Sequence, residues 1–218
     1  MTAKILSIQV GMPKEMTYAG RSDGEERTWR SGIFKSKIEG PATLSDTGLI
    51  GDGQENLAVH GGPDRAMLIF GQRNYPHWEA HLGRFLEPGS FGENLTVDSL
   101  LEDDVCLGDI WETDRVQLQV SQPRLPCSNL GRRLEAPEIV GKIMDAKCGG
   151  WYVRAISHGQ IEAGETLRLT ARPHPHWTIR RAFDVYVFNR SDKEAVAELG
   201  AIPEISQLWK DGIARLLG

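Results

Sequence analysis

The stretch from Val120 to Arg133 reads VSQPRLPCSNLGRR. It continues an alternating segment, VQLQV, in which Val116, Leu118 and Val120 share one strand face. Pro123 is expected to end sheet pairing. With Pro126 it stiffens the loop, so that fixing Cys127 in place costs little conformational entropy. Arg124, Arg132 and Arg133 are the nearest charges, and all are positive. A guanidinium close in space favours thiolate over thiol, and a thiolate is both a nucleophile and a soft metal ligand. A cysteine taken at random is more often a small packing hydrophobe, but the loop setting reverses that preference for Cys127. Cys106, in the apolar segment DDVCLGDI, reads as packing, and Cys148, followed by two glycines, reads either way.

Working outward, the same strand signals recur between glycine and proline breaks. Leu6, Ile8 and Val10 alternate in ILSIQV, MLIFG (67–71) is a continuous apolar run suited to a strand buried on both faces, and ETLRLTA closes the series. Helical spacing is expected over RNYPHWEAHL (73–82) and over APEIVGKIM (136–144), with Pro137 in a first turn. Many short strands with turns between them predict a mostly β fold with inserted helices, closed as a β-barrel. The character changes at RPHPH (172–176). Residues 1–172 are therefore expected to form the barrel, and residues 173–218 a small C-terminal domain of three helices. Ser191 is the expected cap of the segment SDKEAVAELG. Ile205, Leu208, Trp209 and Ile213 form an apolar stripe that is expected to bury itself on the barrel or across a homodimer.

The 218 residues carry a formal charge of −5, which argues against general nucleic-acid binding. No apolar run approaches the roughly 20 residues needed to span a bilayer. The apolar stretch of MTAKILSIQVG is too short and too alternating for a signal peptide. Three cysteines make no disulfide framework, and a cytoplasmic setting with free thiols is the expectation.

No Cys-x-x-Cys, His-x-x-x-His or His-Glu-x-x-His pattern is present, so a zinc site built by protein alone is not expected. A single cysteine still suits a metal whose other ligands come from a cofactor. Three loops offer places to hold one. His60-Gly61-Gly62, followed by Asp64-Arg65, combines glycines that let backbone amides approach an anion with charge from His60 or Arg65. Lys35-Ser36 pairs a cation with a hydroxyl, a combination suited to phosphate, although lysines also guard solvated strand edges. Asn94 in GSFGENLTV stands at the mouth of a strand. None of these loops is a P-loop or an EF-hand.

Taken in order, Lys35-Ser36, GDGQ (51–54), HGGPDRA (60–66), FGENL (91–95), GD (108–109), VSQPRLPC (120–127) and GWYVR (150–154) resemble the MOSC domain, the module also found at the C-terminus of molybdenum cofactor sulfurase. The likeness begins at about residue 30, ends near residue 172, and is greatest to the bacterial YiiM-like branch, where three helices follow the barrel. The resemblance implies binding of the molybdenum cofactor, a pterin (molybdopterin) whose dithiolene sulfurs hold molybdenum. It implies Cys127 as the protein's ligand to the metal and as the catalytic residue. Lys35, Ser36 and Arg65 are implied for the cofactor's phosphate, with His60, Asn94 and Arg124 lining the cleft. Related enzymes reduce N-hydroxylated compounds, hydroxylamino purines and amidoximes, to amines. With no cysteine set for an iron–sulfur cluster, electrons are expected from a separate reductase. A cofactor or sulfur carrier without turnover is the alternative, and a cysteine hydrolase with His60 as base stands third.

Overall fold

The computed structural model describes residues 1–19, 25–55 and 61–218. Its strands are β1 (Thr2–Val10), β2 (Lys14–Ala19), β3 (Glu26–Ser31), β4 (Ser36–Lys37), β5 (Ala42–Ser45), β6 (Gly48–Leu49), β7 (Met67–Gly71), β8 (Leu95–Val97), β9 (Ile110–Glu112), β10 (Gln117–Pro123), β11 (Trp151–Ala155), β12 (Gly159–Ile161) and β13 (Thr166–Ala171). Its α-helices are α1 (Tyr75–Leu82), α2 (Ser128–Arg133), α3 (Ile139–Ala146), α4 (Ile179–Val187), α5 (Lys193–Gly200) and α6 (Gln207–Leu217).

Seven strands run in the order β13-β9-β10-β11-β7-β8-β1, and pairing of β1 with β13 closes the barrel. Neighbours are antiparallel except β7 and β8, which run parallel. MLIFG is β7, buried at every position because barrel and helices cover its two faces. Leu118, Val120, Val153, Trp151, Ile5 and Ile8 fill the interior.

Two features of β10 position the loop beyond it. Val120 pairs with Val153 and Gln122 with Tyr152, so Ser121 is an extra residue opposite nothing on β11. Such a bulge bends a strand and re-aims its continuation. Pairing also runs further than expected, with Pro123 opposite Trp151 and the Arg124 amide donating to the Gly150 carbonyl at 3.0 Å. Pro123 is tolerated because β10 has outrun β9, whose pairing ends at Gln119, so no ladder bond is lost on that side.

The expected helix over 136–144 begins later, at Ile139, because residues 136–139 first form a tight turn in which the Ile139 amide donates to the Ala136 carbonyl at 3.0 Å. Asp192, not Ser191, caps α5, its Oδ1 accepting from the Ala195 amide at 3.0 Å. The three C-terminal helices lie on the barrel. Ile205, Trp209 and Ile213 are buried in the same core cluster as the barrel strands, and Trp209 stacks on Tyr186 at 4.2 Å between ring centroids. Leu208 departs from the expected stripe and is 38% exposed. One residue from Trp209, it is turned about 100° around the helix, away from the barrel.

Candidate functional site

The chain gathers distant residues around a cavity of about 250 Å³. Lys35 comes from the chain just before β4, Arg65 from the turn before β7, and Asn94 from the residue before β8. Arg124 and Cys127 come from the loop leaving β10, and Tyr152 from β11. Arg30 and Glu55 form a 3.3 Å ion pair between half-exposed side chains of the lining.

The thiol of Cys127 is half-buried at the foot of α2. The other two thiols are packed away. Cys106 is buried, its Sγ 3.5 Å from the Pro175 carbonyl, and burial pushes its pKa up to about 11. Cys148 is buried against α1 and α3, and desolvation, reinforced by Glu102, pushes its pKa up to about 12. Both are therefore neutral thiols at physiological pH.

Arg124 is buried, and its Nη2 donates to the Phe91 carbonyl at 3.2 Å. Its Nη1 has no hydrogen-bond partner among the described residues. Gly149 permits this placement, since a Cβ there would stand 2.6 Å from the Arg124 carbonyl oxygen. A buried guanidinium with an unmet donor beside a cavity is a site for an acceptor brought in by a ligand. Arg65 bends back to donate from Nε to the Gly61 carbonyl at 2.9 Å, and desolvation lowers its pKa. The Tyr152 hydroxyl is held protonated, its pKa raised chiefly by burial, while Arg124 and Arg65 pull it down and Cys127 pushes it up.

Lys35 has a different environment from a free phosphate anchor. Its ammonium is buried and bonded to Asp52 Oδ1, with side-chain exposures of 6% and 1%. Burial lowers the lysine pKa, and Asp52 opposes that shift. Asp52 also accepts from the Gly11 amide at 2.8 Å and from Asn94 Nδ2 at 2.9 Å. Asn94 is saturated within the protein, donating to the Gln9 carbonyl at 3.2 Å and accepting from the Leu68 amide at 3.1 Å. Lys35, Asp52 and Asn94 thus form one buried polar wall that ties β1 to β7 and β8.

Ser36 is exposed on β4 and is not part of the lining. Lys35, just before β4, turns inward to Asp52, while Ser36 on the strand is exposed, so the two side chains do not share the cavity. His60 lies outside the described residues. The sequence expectations gave no site role to Asp52, which binds Lys35 and Asn94, or to the lining residues Arg30, Glu55, Asn129 and Tyr152, although the motifs GDGQ and GWYVR contain Asp52 and Tyr152. The alternation of Trp151 and Val153 into the core was the available signal for Tyr152, which it sends to the other face.

A model of the MOSC domain matches residues 56–168. The chain is 32% identical over 206 residues to the uncharacterized protein YflK of Bacillus subtilis, covering 94% of this chain and 90% of that one. It is 32% identical over 177 residues to a protein of Gibberella moniliformis named "Reductase", covering 79% of this chain but 31% of that protein. Among solved structures, that of YiiM from Geobacillus stearothermophilus superposes with a TM-score of 0.83 at 30% identity, covering 99% of this chain and 100% of that one. With the domain matched over more than half its length and relatives aligned almost end to end, the chain belongs to the MOSC domain family.

Proposed function

We propose that the cavity holds the molybdenum cofactor, with Cys127 as the protein's sulfur ligand, and that the loaded protein reduces N-hydroxylated compounds to amines. The observation that carries this reading is a half-buried thiol, Cys127, sharing one cavity with Arg65 and with the unmet Nη1 donor of Arg124. The donor set fits the group. A soft thiolate suits a metal already in sulfur ligation, and guanidinium donors suit a phosphate-bearing pterin. The fungal relative named "Reductase" is consistent with redox chemistry.

When bound, the cofactor supplies two-electron redox chemistry, and the protein supplies binding, orientation and electrostatics. Arg124 and Arg65 hold anionic groups of the ligand. Lys35 and Asn94 act chiefly as wall, since Asp52 engages both. The Tyr152 hydroxyl keeps its proton near neutral pH and so faces the cavity as a donor. Each turnover consumes two electrons and two protons, converting a hydroxylamine to an amine and water. The electrons come from a separate reductase.

The test is reduction of a hydroxylamino purine by cofactor-loaded protein with a chemical electron donor. Cys127→Ser should abolish turnover and keep the fold, while Cys106→Ser and Cys148→Ala should keep most activity. Undiminished turnover by Cys127→Ser would reject the ligand role. Cofactor retained without any turnover in the parent would leave a carrier instead.

A further inference from the structure

The C-terminal helices reach the cavity's supporting loop through one side chain, Asp64. Asp64 and Arg65 are neighbours in the short turn Pro63–Arg65, and their side chains serve opposite sides. Arg65 lines the cavity. The Asp64 carboxylate points outward, where Oδ2 accepts from the Gln207 amide at 2.9 Å. That amide belongs to the first residue of α6, where backbone N–H groups have no partner inside the helix. A carboxylate there also meets the positive end of the helix dipole. Oδ1 of the same group accepts from Arg154 on β11, at 3.0 Å from Nε and 2.7 Å from Nη2.

A second link runs beside the first. Ser121, the bulged residue of β10, has its carbonyl free of β11 and accepts there from the Ser206 amide at 3.1 Å. Its hydroxyl donates to the Asp64 carbonyl and lies 3.1 Å from the Tyr152 carbonyl. The start of α6 is thus bonded to the turn holding Arg65 and to the strand leading to Arg124 and Cys127.

We propose that Asp64 is a positioning residue: it clasps the start of α6 and thereby fixes the Gly61–Arg65 turn that carries Arg65 into the cavity. The C-terminal helices are then part of the site's framework. Only the ligand-retention readout rests on the function proposed above.

The test is amide hydrogen exchange on the full-length protein, comparing the parent with Asp64→Ala, Asp64→Asn and Gln207→Pro. Gln207→Pro deletes the backbone donor while leaving Asp64 intact, and otherwise loses only an exposed side-chain bond from Gln207 Nε2 to Asp211 Oδ1 at 2.7 Å. Proline is favoured at the first helical position, and Ser206, at φ −60° and ψ 152°, already has the backbone a following proline requires. This variant should therefore fold even where Asp64→Ala does not. Exchange at the Arg65 and Ala66 amides should rise about tenfold in Asp64→Ala and severalfold in Gln207→Pro, as expected for losing a hydrogen bond to a charged group. Asp64→Asn, which keeps one acceptor oxygen, should fall between Asp64→Ala and the parent. Bound pterin should dissociate faster in the same rank order. Faster exchange confined to residues 207–210, with Arg65 and Ala66 unchanged, would reduce Asp64 to a helix cap and overturn the proposal. If the parent carries no pterin, the proposed function falls, and the exchange data still decide the clasp.

Discussion

Asp52→Asn tests whether the polar wall of the cavity is built as described. The carboxylate is 1% exposed and its Lys35 partner 6% exposed, so neither charge has water to fall back on. Four donors converge on it: Gly11 N–H and Lys35 Nζ at Oδ1, and Asn94 Nδ2 and Gln54 Nε2 at Oδ2. An asparagine has one acceptor oxygen, so its amide nitrogen must face one pair of donors whichever way it is turned. The ammonium of Lys35 also loses its counter-ion. Removing one partner of a buried pair costs about 3–5 kcal/mol. The pH dependence has a definite sign. Burial holds the Lys35 pKa below its ordinary 10.5, so between that lowered value and 10.5 the unfolded chain binds more protons and stability rises with pH. Without Asp52, which opposes the shift, the window extends to lower pH, and the deficit of the variant shrinks as the amine becomes neutral. Urea denaturation from pH 7 to 10 measures both effects. The double variant Asp52→Asn with Lys35→Met should recover part of the loss. A deficit below about 1 kcal/mol at pH 7, independent of pH, would refute a buried ion pair at this place.

Trp209→Ala removes the buried ring that stacks on Tyr186 and should destabilise the fold by about 3–5 kcal/mol, measured by the same denaturation. Iodoacetamide at pH 8 should label Cys127 in the native protein and spare Cys106 and Cys148, whose pKa values stand near 11 and 12; peptide mass mapping reads this directly. Arg124→Gln should accelerate loss of bound pterin roughly tenfold on gel filtration, because a charge-assisted contact is replaced by a neutral one. Its thermal midpoint should change less than that of Asp52→Asn.

The legible parts of this chain were those set by local chemistry. Alternation gave the barrel strands, and the proline and glycine breaks gave their limits, because period and turn preference act over a few residues. The unusual setting of Cys127 was visible for the same reason. The partners of Lys35 and Asn94 were not. Asp52 meets Lys35 across 17 residues and Asn94 across 42, and only barrel closure brings them together. Ser36 was read with Lys35 as one donor unit, but Asp52 draws Lys35 inward while Ser36 stays exposed on β4. Asp64 could not have been assigned, since its partners on β11 and α6 lie 90 and 143 residues further along the chain.

The central claim is that Cys127 supplies a sulfur ligand to molybdenum in this cavity. X-ray absorption at the molybdenum edge, on parent and Cys127→Ser protein from a molybdenum-replete host, tests it most directly. The account predicts molybdenum and pterin in the parent, and one sulfur neighbour fewer around the metal in Cys127→Ser. An unchanged sulfur shell in the variant, or parent protein carrying zinc in place of molybdenum, would contradict it.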